Sequence, residues 1–111
     1  MQQQFRIRKN SHFRYVYRKG KHASGRLMRL HHAQSRRLQG GFSVSRHVGN
    51  AVRRNQVKRR MRESFRLLIP QLLTGSYVFT AKPEAAAATF LELDTEIRQL
   101  AAKLGLIRKR P

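Results

Sequence analysis

The stretch from Gly41 to Arg66, GFSVSRHVGNAVRRNQVKRRMRESFR, constrains this chain more than any other. It reads as a short strand, a Gly-Asn turn and a very basic helix. Val57, Met61, Phe65 and Leu68 recur at three- and four-residue spacing and give the helix an apolar stripe. At about 100° per residue, Arg54, Lys58, Arg62 and Arg66 form a ridge beside that stripe, with Asn55 and Arg59 just past it. One edge of the helix must therefore pack inward while the adjacent face presents cations in a row. Asn50 is placed to cap the helix. Arg53 and Arg54 then fall in the first turn, where the helix dipole disfavours positive charge. A bound polyanion resolves that conflict, because helix N-terminal amides and arginines both attract phosphate.

The rest of the composition points the same way. Among 111 residues, 25 are Lys or Arg and 5 are Asp or Glu, a formal net charge of +20. Self-repulsion of that size calls for a partner, and nucleic acid is the commonest one. A hydrophobic content of 40% with several amphipathic periods argues against a merely disordered basic tail. No apolar run approaches the roughly 20 residues of a membrane span, and the N-terminus lacks an apolar signal core. The expectation is a single RNA-binding domain over 1–111 in the cytoplasm, with flexible basic ends at about 1–9 and 106–111. With no cysteine there is neither a disulfide framework nor thiolate chemistry.

Taken in order, Ser11 is placed to cap a helix from His12 to about Lys19, ended by Gly20. Phe13, Val16 and Tyr17 share one face of it. That face is either a small core or, set among Arg14, Arg18 and Lys19, a stacking surface for unpaired bases. Lys21 to Arg26 reads as an edge strand and Leu27 to Ala33 as a longer one. Gln34 to Gly41 reads as a turn, flagged by Ser35, Gly40 and Gly41. Phe42 to Arg46 alternates, with Phe42 and Val44 on one face and Ser43 and Ser45 on the other. The hydroxyl face suits a ligand backbone or plain solvent. The basic helix ends near Ile69, before Pro70. A strand follows over Tyr77 to Ala81. Thr89 and Glu92 make a capping box for a last helix whose Phe90, Leu93, Ile97, Leu100 and Leu104 share a face and which Gly105 ends. Four of the five acidic residues lie between Glu84 and Glu96, so this helix is structural rather than nucleic-acid-facing. Arg108 to Arg110 form a basic tail. The order αβββαβα, with the second and third strands antiparallel, predicts an α+β sandwich of helices on a four-stranded sheet.

Motifs for chemistry are missing. There is no phosphate-binding glycine loop and no nucleophile elbow. His12, His22, His31, His32 and His47 lack metal-ligand spacing, so no metal site is expected. The few carboxylates sit mostly on one helix and do not form an acid–base pair. By elimination the chain binds a polyanion and performs no chemistry alone, with no catalytic residue, small-molecule substrate or membrane partner expected.

Ala51, Val52, Arg54, Asn55, Lys58, Arg59, Arg62, Glu63 and Phe65, preceded by Gly41-Phe42-Ser43-Val44-Ser45, strongly resemble the protein subunit of bacterial ribonuclease P. The resemblance runs from about Phe5 to Leu104 and is specific in Gly41 to Arg66. The family signature usually has arginine where this chain has Gln56, which weakens one expected RNA contact. The resemblance implies an α-β-β-β-α-β-α sandwich with a left-handed crossover through the basic helix. It implies a catalytic RNA partner that carries the active site and uses Mg2+, with no cofactor on the protein itself. The protein would support removal of the 5′ leader from precursor tRNA. Arg53, Arg54, Asn55, Lys58, Arg59 and Arg62 would dock on the catalytic RNA. Phe13, Tyr17, Ser43 and Ser45, joined by Lys58 and Arg62, would line the cleft for the single-stranded leader. The competing reading is a basic structural protein of ribosomal or nucleoid type, which composition alone would favour.

Overall fold

The structure, a computed structural model, describes residues 3–108. After a 3-10 turn at Gln3–Phe5 come helix α1 (Asn10–Lys19) and strands β1 (Lys21–Ser24), β2 (Met28–Ala33) and β3 (Leu38–Val44). Helix α2 (Ala51–Leu68), strand β4 (Gly75–Ala81) and helix α3 (Phe90–Lys103) complete the order. The strands form one mixed sheet in the order β1-β2-β4-β3. β1 pairs with β2, and β2 with β4, antiparallel. β3 pairs with β4 in parallel, so α2 is the crossover between two neighbouring strands. β2 and β3 run antiparallel as expected, but β4 lies between them.

The sheet is buried on one face by α2 and α3. Val57, Met61, Phe65 and Leu68, the stripe on α2, are fully shielded. Phe65 packs edge-on against Phe42 and Phe79 with ring centroids 5.7 Å apart in each case. Each such ring contributes on the order of 1.5–3 kcal/mol through burial. Leu93, Ile97 and Leu100 of α3 join the same core. Phe90, placed on that face by its spacing, is instead exposed at the helix start. The capping box holds: Thr89 Oγ1 accepts from Glu92 N, and the Glu92 carboxylate accepts from Thr89 N. Glu96 ties this helix to the β1–β2 hairpin by accepting from Leu27 N at 2.8 Å.

The opposite face carries α1 over a small second core of Ile7, Val16, Ala33 and Val78, with Phe13 against it. Helix α1 begins two residues before the expected His12, and its capping position is Lys9, without a side-chain cap. Ser11 is therefore inside the helix. Gly40 and Gly41 belong to β3, not to a turn. A Cβ on Gly40 would lie 2.6 Å from the Phe65 ring, and one on Gly41 2.6 Å from the Phe13 ring. These two residues lack side chains because an aromatic from each layer presses on the strand from either side.

The ends are more firmly held than their composition implies. Arg6 bridges to Gly40, Ile7 N donates to Gly40 O, and Ile7 is buried. Leu106 is buried, Ile107 bridges to Leu72, and Arg108 N donates to Gln71 O at 2.7 Å. Lys109 and Arg110 of the expected basic tail lie outside the described residues.

Candidate nucleic-acid interface

Helix α2 starts as its sequence dictates. Asn50 Oδ1 accepts from Arg53 N at 2.9 Å, closing the first turn. From there the cations divide between two flanks. Arg54, Lys58 and Arg62 are half-buried along the flank nearest α1, and Asn55 and Arg59 are exposed beside them. Arg53 leaves this group. Its Nη1 donates to Ala86 O at 3.2 Å, and Arg60 does the same to Ala88 O. These two arginines staple α2 to the 3-10 helix Pro83–Ala87 and the residue after it. Gln56 lies on that side too, with Val48 and Gly49 at the foot of the helix.

The ridge on the first flank is electrostatically frustrated. The Nε atoms of Arg54 and Arg62 are shielded from solvent with no hydrogen-bond partner among the described residues. Burial, and then the cations of Arg6 and Arg59, push the Arg62 guanidinium below its ordinary pKa. Arginine stays protonated at neutral pH regardless. An anion at this point would satisfy the donors and relieve the repulsion.

Two hollows flank α1 on the sheet. One, of about 190 Å³, is lined by Phe13, Gly41 and Phe42 on one side and by Lys58, Arg62 and Arg6 on the other. The second, of about 400 Å³, is lined by Tyr17, Ser45, Thr80, His31, Arg29 and Lys82. Gly41 and Ser43 alternate onto one face of β3, and Ser45 follows just past its end. The expected cleft residues are thus divided between the two hollows, and Ser43 lines neither. Phe13, Lys58 and Arg62 meet in the first, and Tyr17 and Ser45 in the second.

Sequence reasoning missed several of their walls. Thr80 sits opposite Ser43 in the β3–β4 register, and Tyr17 Oη is 3.1 Å from its Oγ1. His31 meets the Tyr17 ring edge-on at 4.9 Å and stacks on His22 at 5.3 Å. Burial, then the charges of His22 and Arg29, lower the His31 pKa and keep its ring neutral. Together the two hollows are thus aromatic along their floor, hydroxylated on the strand wall and cationic on the helix wall. Those are the elements a single nucleic-acid strand requires: faces for bases and charges for phosphates.

Four of the five carboxylates, Glu96 among them, are engaged elsewhere. Glu63 pairs with Arg66, Asp94 with Ser64 and Arg98, and Glu92 with Arg26 as well as its cap. Among the described residues no three His, Cys, Asp or Glu side chains converge. This donor set does not fit magnesium.

A model of the Ribonuclease P family matches residues 1–105. The chain belongs to the ribonuclease P protein family. It is 34% identical over 112 residues to the ribonuclease P protein component of an Exiguobacterium species, covering 99% of this chain and 98% of that one. It is 40% identical over 111 residues to the component from Chloroflexus aurantiacus, covering 96% and 82%. The solved structure of the Staphylococcus aureus ribonuclease P protein superposes with a TM-score of 0.87 at 27% identity, covering 94% of this chain and 98% of that one. As a ribonuclease P protein, the chain is a component of an endoribonuclease, and the α+β sandwich read from its sequence is the fold of that family.

Proposed function

We infer that the chain is the protein subunit of a ribonucleoprotein in which RNA carries the catalytic site. It docks through Arg54, Asn55, Lys58, Arg59 and Arg62 on the catalytic RNA and receives the 5′ leader of precursor tRNA in the groove between α1 and β3. Lys58 and Arg62 serve both surfaces, because they stand on the helix wall of the groove. Arg53 supports the helix rather than the RNA. Magnesium acts in the holoenzyme through the RNA subunit, and the work is done in the cytoplasm.

The observation that carries this reading is a pair of hollows beside α1, one lined by Phe13 with the Lys58–Arg62 edge of α2 and the other by Tyr17 with Ser45 and Thr80, which we read as one groove. Aromatic faces accept bases of any identity, and hydroxyls and cations hold the backbone, so the groove binds single strands with little sequence preference. That suits leaders of varied sequence. In the test, purified chain is added to catalytic RNA and precursor tRNA, and 5′ cleavage is followed. The chain should raise cleavage with the RNA present and give none without it. Cleavage by chain free of RNA and contaminating nuclease, or no change on addition, would overturn the reading.

A further inference from the structure

On the other side of α1 from the leader groove is a larger hollow, of about 840 Å³. Tyr17 reaches Thr80 on the groove side, whereas His12 Nε2 reaches Ser76 Oγ at 2.8 Å on this side. Thr74, just before β4, lines the hollow and Thr80 the groove, so six residue steps, roughly 20 Å, part them along the strand.

Four cations line the hollow: Lys19 from the end of α1, Lys21 from the start of β1, Arg36 from the β2–β3 connection and Arg108 after α3. Among the described residues no carboxylate lines it, and none of the four cations is in a salt bridge. Lys21 is fixed in place, its Nζ donating to Leu104 O at 2.8 Å. His32 is buried in the wall, its Nε2 donating to Thr74 O, and burial lowers its pKa, so it adds no charge. The hollow therefore differs from the leader groove in kind. It has cations from four separate elements and no exposed aromatic face on which an unpaired base could stack.

We propose that this hollow is a second RNA-binding surface, which grips the sugar–phosphate backbone of a base-paired segment. Cations without stacking partners recognise a backbone and carry no base information. A duplex presents that backbone outward while its bases remain paired, so it can meet these cations without needing a face on which to stack. The duplex belongs either to the catalytic RNA or to the folded body of the tRNA. The proposal rests on the ribonucleoprotein reading above.

The test compares two variants that lose the same charge. Lys19→Ala with Arg36→Ala alters the hollow, and Arg26→Ala with Arg98→Ala alters the α3 side. Circular dichroism confirms folding of both. Affinity is measured against salt for catalytic RNA alone, and for mature and precursor tRNA on the holoenzyme. The hollow variant should flatten the log–log salt plot by about one to two units, near 0.9 for each phosphate left without its cation. The α3-side variant should change it far less. Flattening with catalytic RNA alone assigns the duplex to that RNA. Flattening only with the holoenzyme, equal for mature and precursor tRNA, assigns it to the tRNA body. Equal effects of the two variants, or a loss confined to precursor tRNA, would overturn the proposal. Failure of the unaltered chain to bind catalytic RNA would sink the ribonucleoprotein reading and this proposal together.

Discussion

Tyr17 can be separated into a ring and a hydroxyl. Its ring is about 40% exposed and its hydroxyl meets Thr80. Tyr17→Ala should weaken precursor tRNA binding by about 1–3 kcal/mol, the worth of one stacked base, and leave mature tRNA binding nearly unchanged. Tyr17→Phe, which keeps the ring, should lose much less. Equal losses of both tRNAs by a folded Tyr17→Ala protein would mean the leader lies elsewhere. Phe13 is a poorer probe, because it packs on Gly41 and the small core under α1. The helix face that the sequence left open is divided, with Phe13 packed against the core and Tyr17 exposed. The spacing of four put them on one face, but Thr80 and His31 were not legible as neighbours. They arrive through strand order, which local pattern does not encode. His32 yields a prediction about pH. Burial lowers its pKa, so the folded state binds its proton less readily than the unfolded chain, whose value is about 6.5. Its contribution is therefore complete above that value and is lost as pH falls below it, with His31 adding in the same direction. Urea midpoints measured from about pH 7 down to pH 5 should fall, and His32→Gln should reduce that slope.

At the scale of elements, α2 holds two functions on opposite flanks. Replacing Arg54, Lys58 and Arg62 together by Ala should flatten the salt dependence of catalytic-RNA binding by about two to three units, since each cation displaces counterions from the phosphate it meets. The helix should persist, because its stripe and its Asn50 cap are untouched. An unchanged slope would mean that this flank is not the docking surface. The stripe, the ridge, the cap and the end before Pro70 could all be read from sequence, because each depends on residues within one or two turns. The division of Arg53 from Arg54 could not. Adjacent arginines point about 100° apart, and only the position of Ala86 decides which one becomes a staple. Gly40 and Gly41 misled for a related reason. Glycine usually marks a turn, but here it marks a strand squeezed between Phe13 and Phe65, residues far away in sequence.

At the scale of the whole molecule, a +20 charge is held within a radius of gyration of 13.0 Å. The Debye length is about 8–10 Å at moderate salt, so repulsion persists only between cations closer together than that. Five carboxylates cannot neutralise 25 cations. Multivalent anions that bind the folded state should therefore stabilise it by mass action. Titration with sulfate or phosphate at low ionic strength should raise helicity and urea midpoint beyond an equal ionic strength of chloride, as followed by circular dichroism. Identical curves for all three salts would count against this. The α+β class and the order of elements were legible from periodicity, whereas the insertion of β4 between β2 and β3 was not. That insertion also bears on how the chain is born. A ribosome releases β1, β2, β3 and the whole of α2 before it has made the strand on which β2 and β3 depend. Until Gly75 to Ala81 emerges, β3 has only the bridge from Arg6 to Gly40 and β2 has only its hairpin partner. The nascent chain thus exposes its most basic helix early, beside RNA, with no closed sheet behind it. The sheet can close only once β4 has emerged, because that one late strand joins β2 to β3.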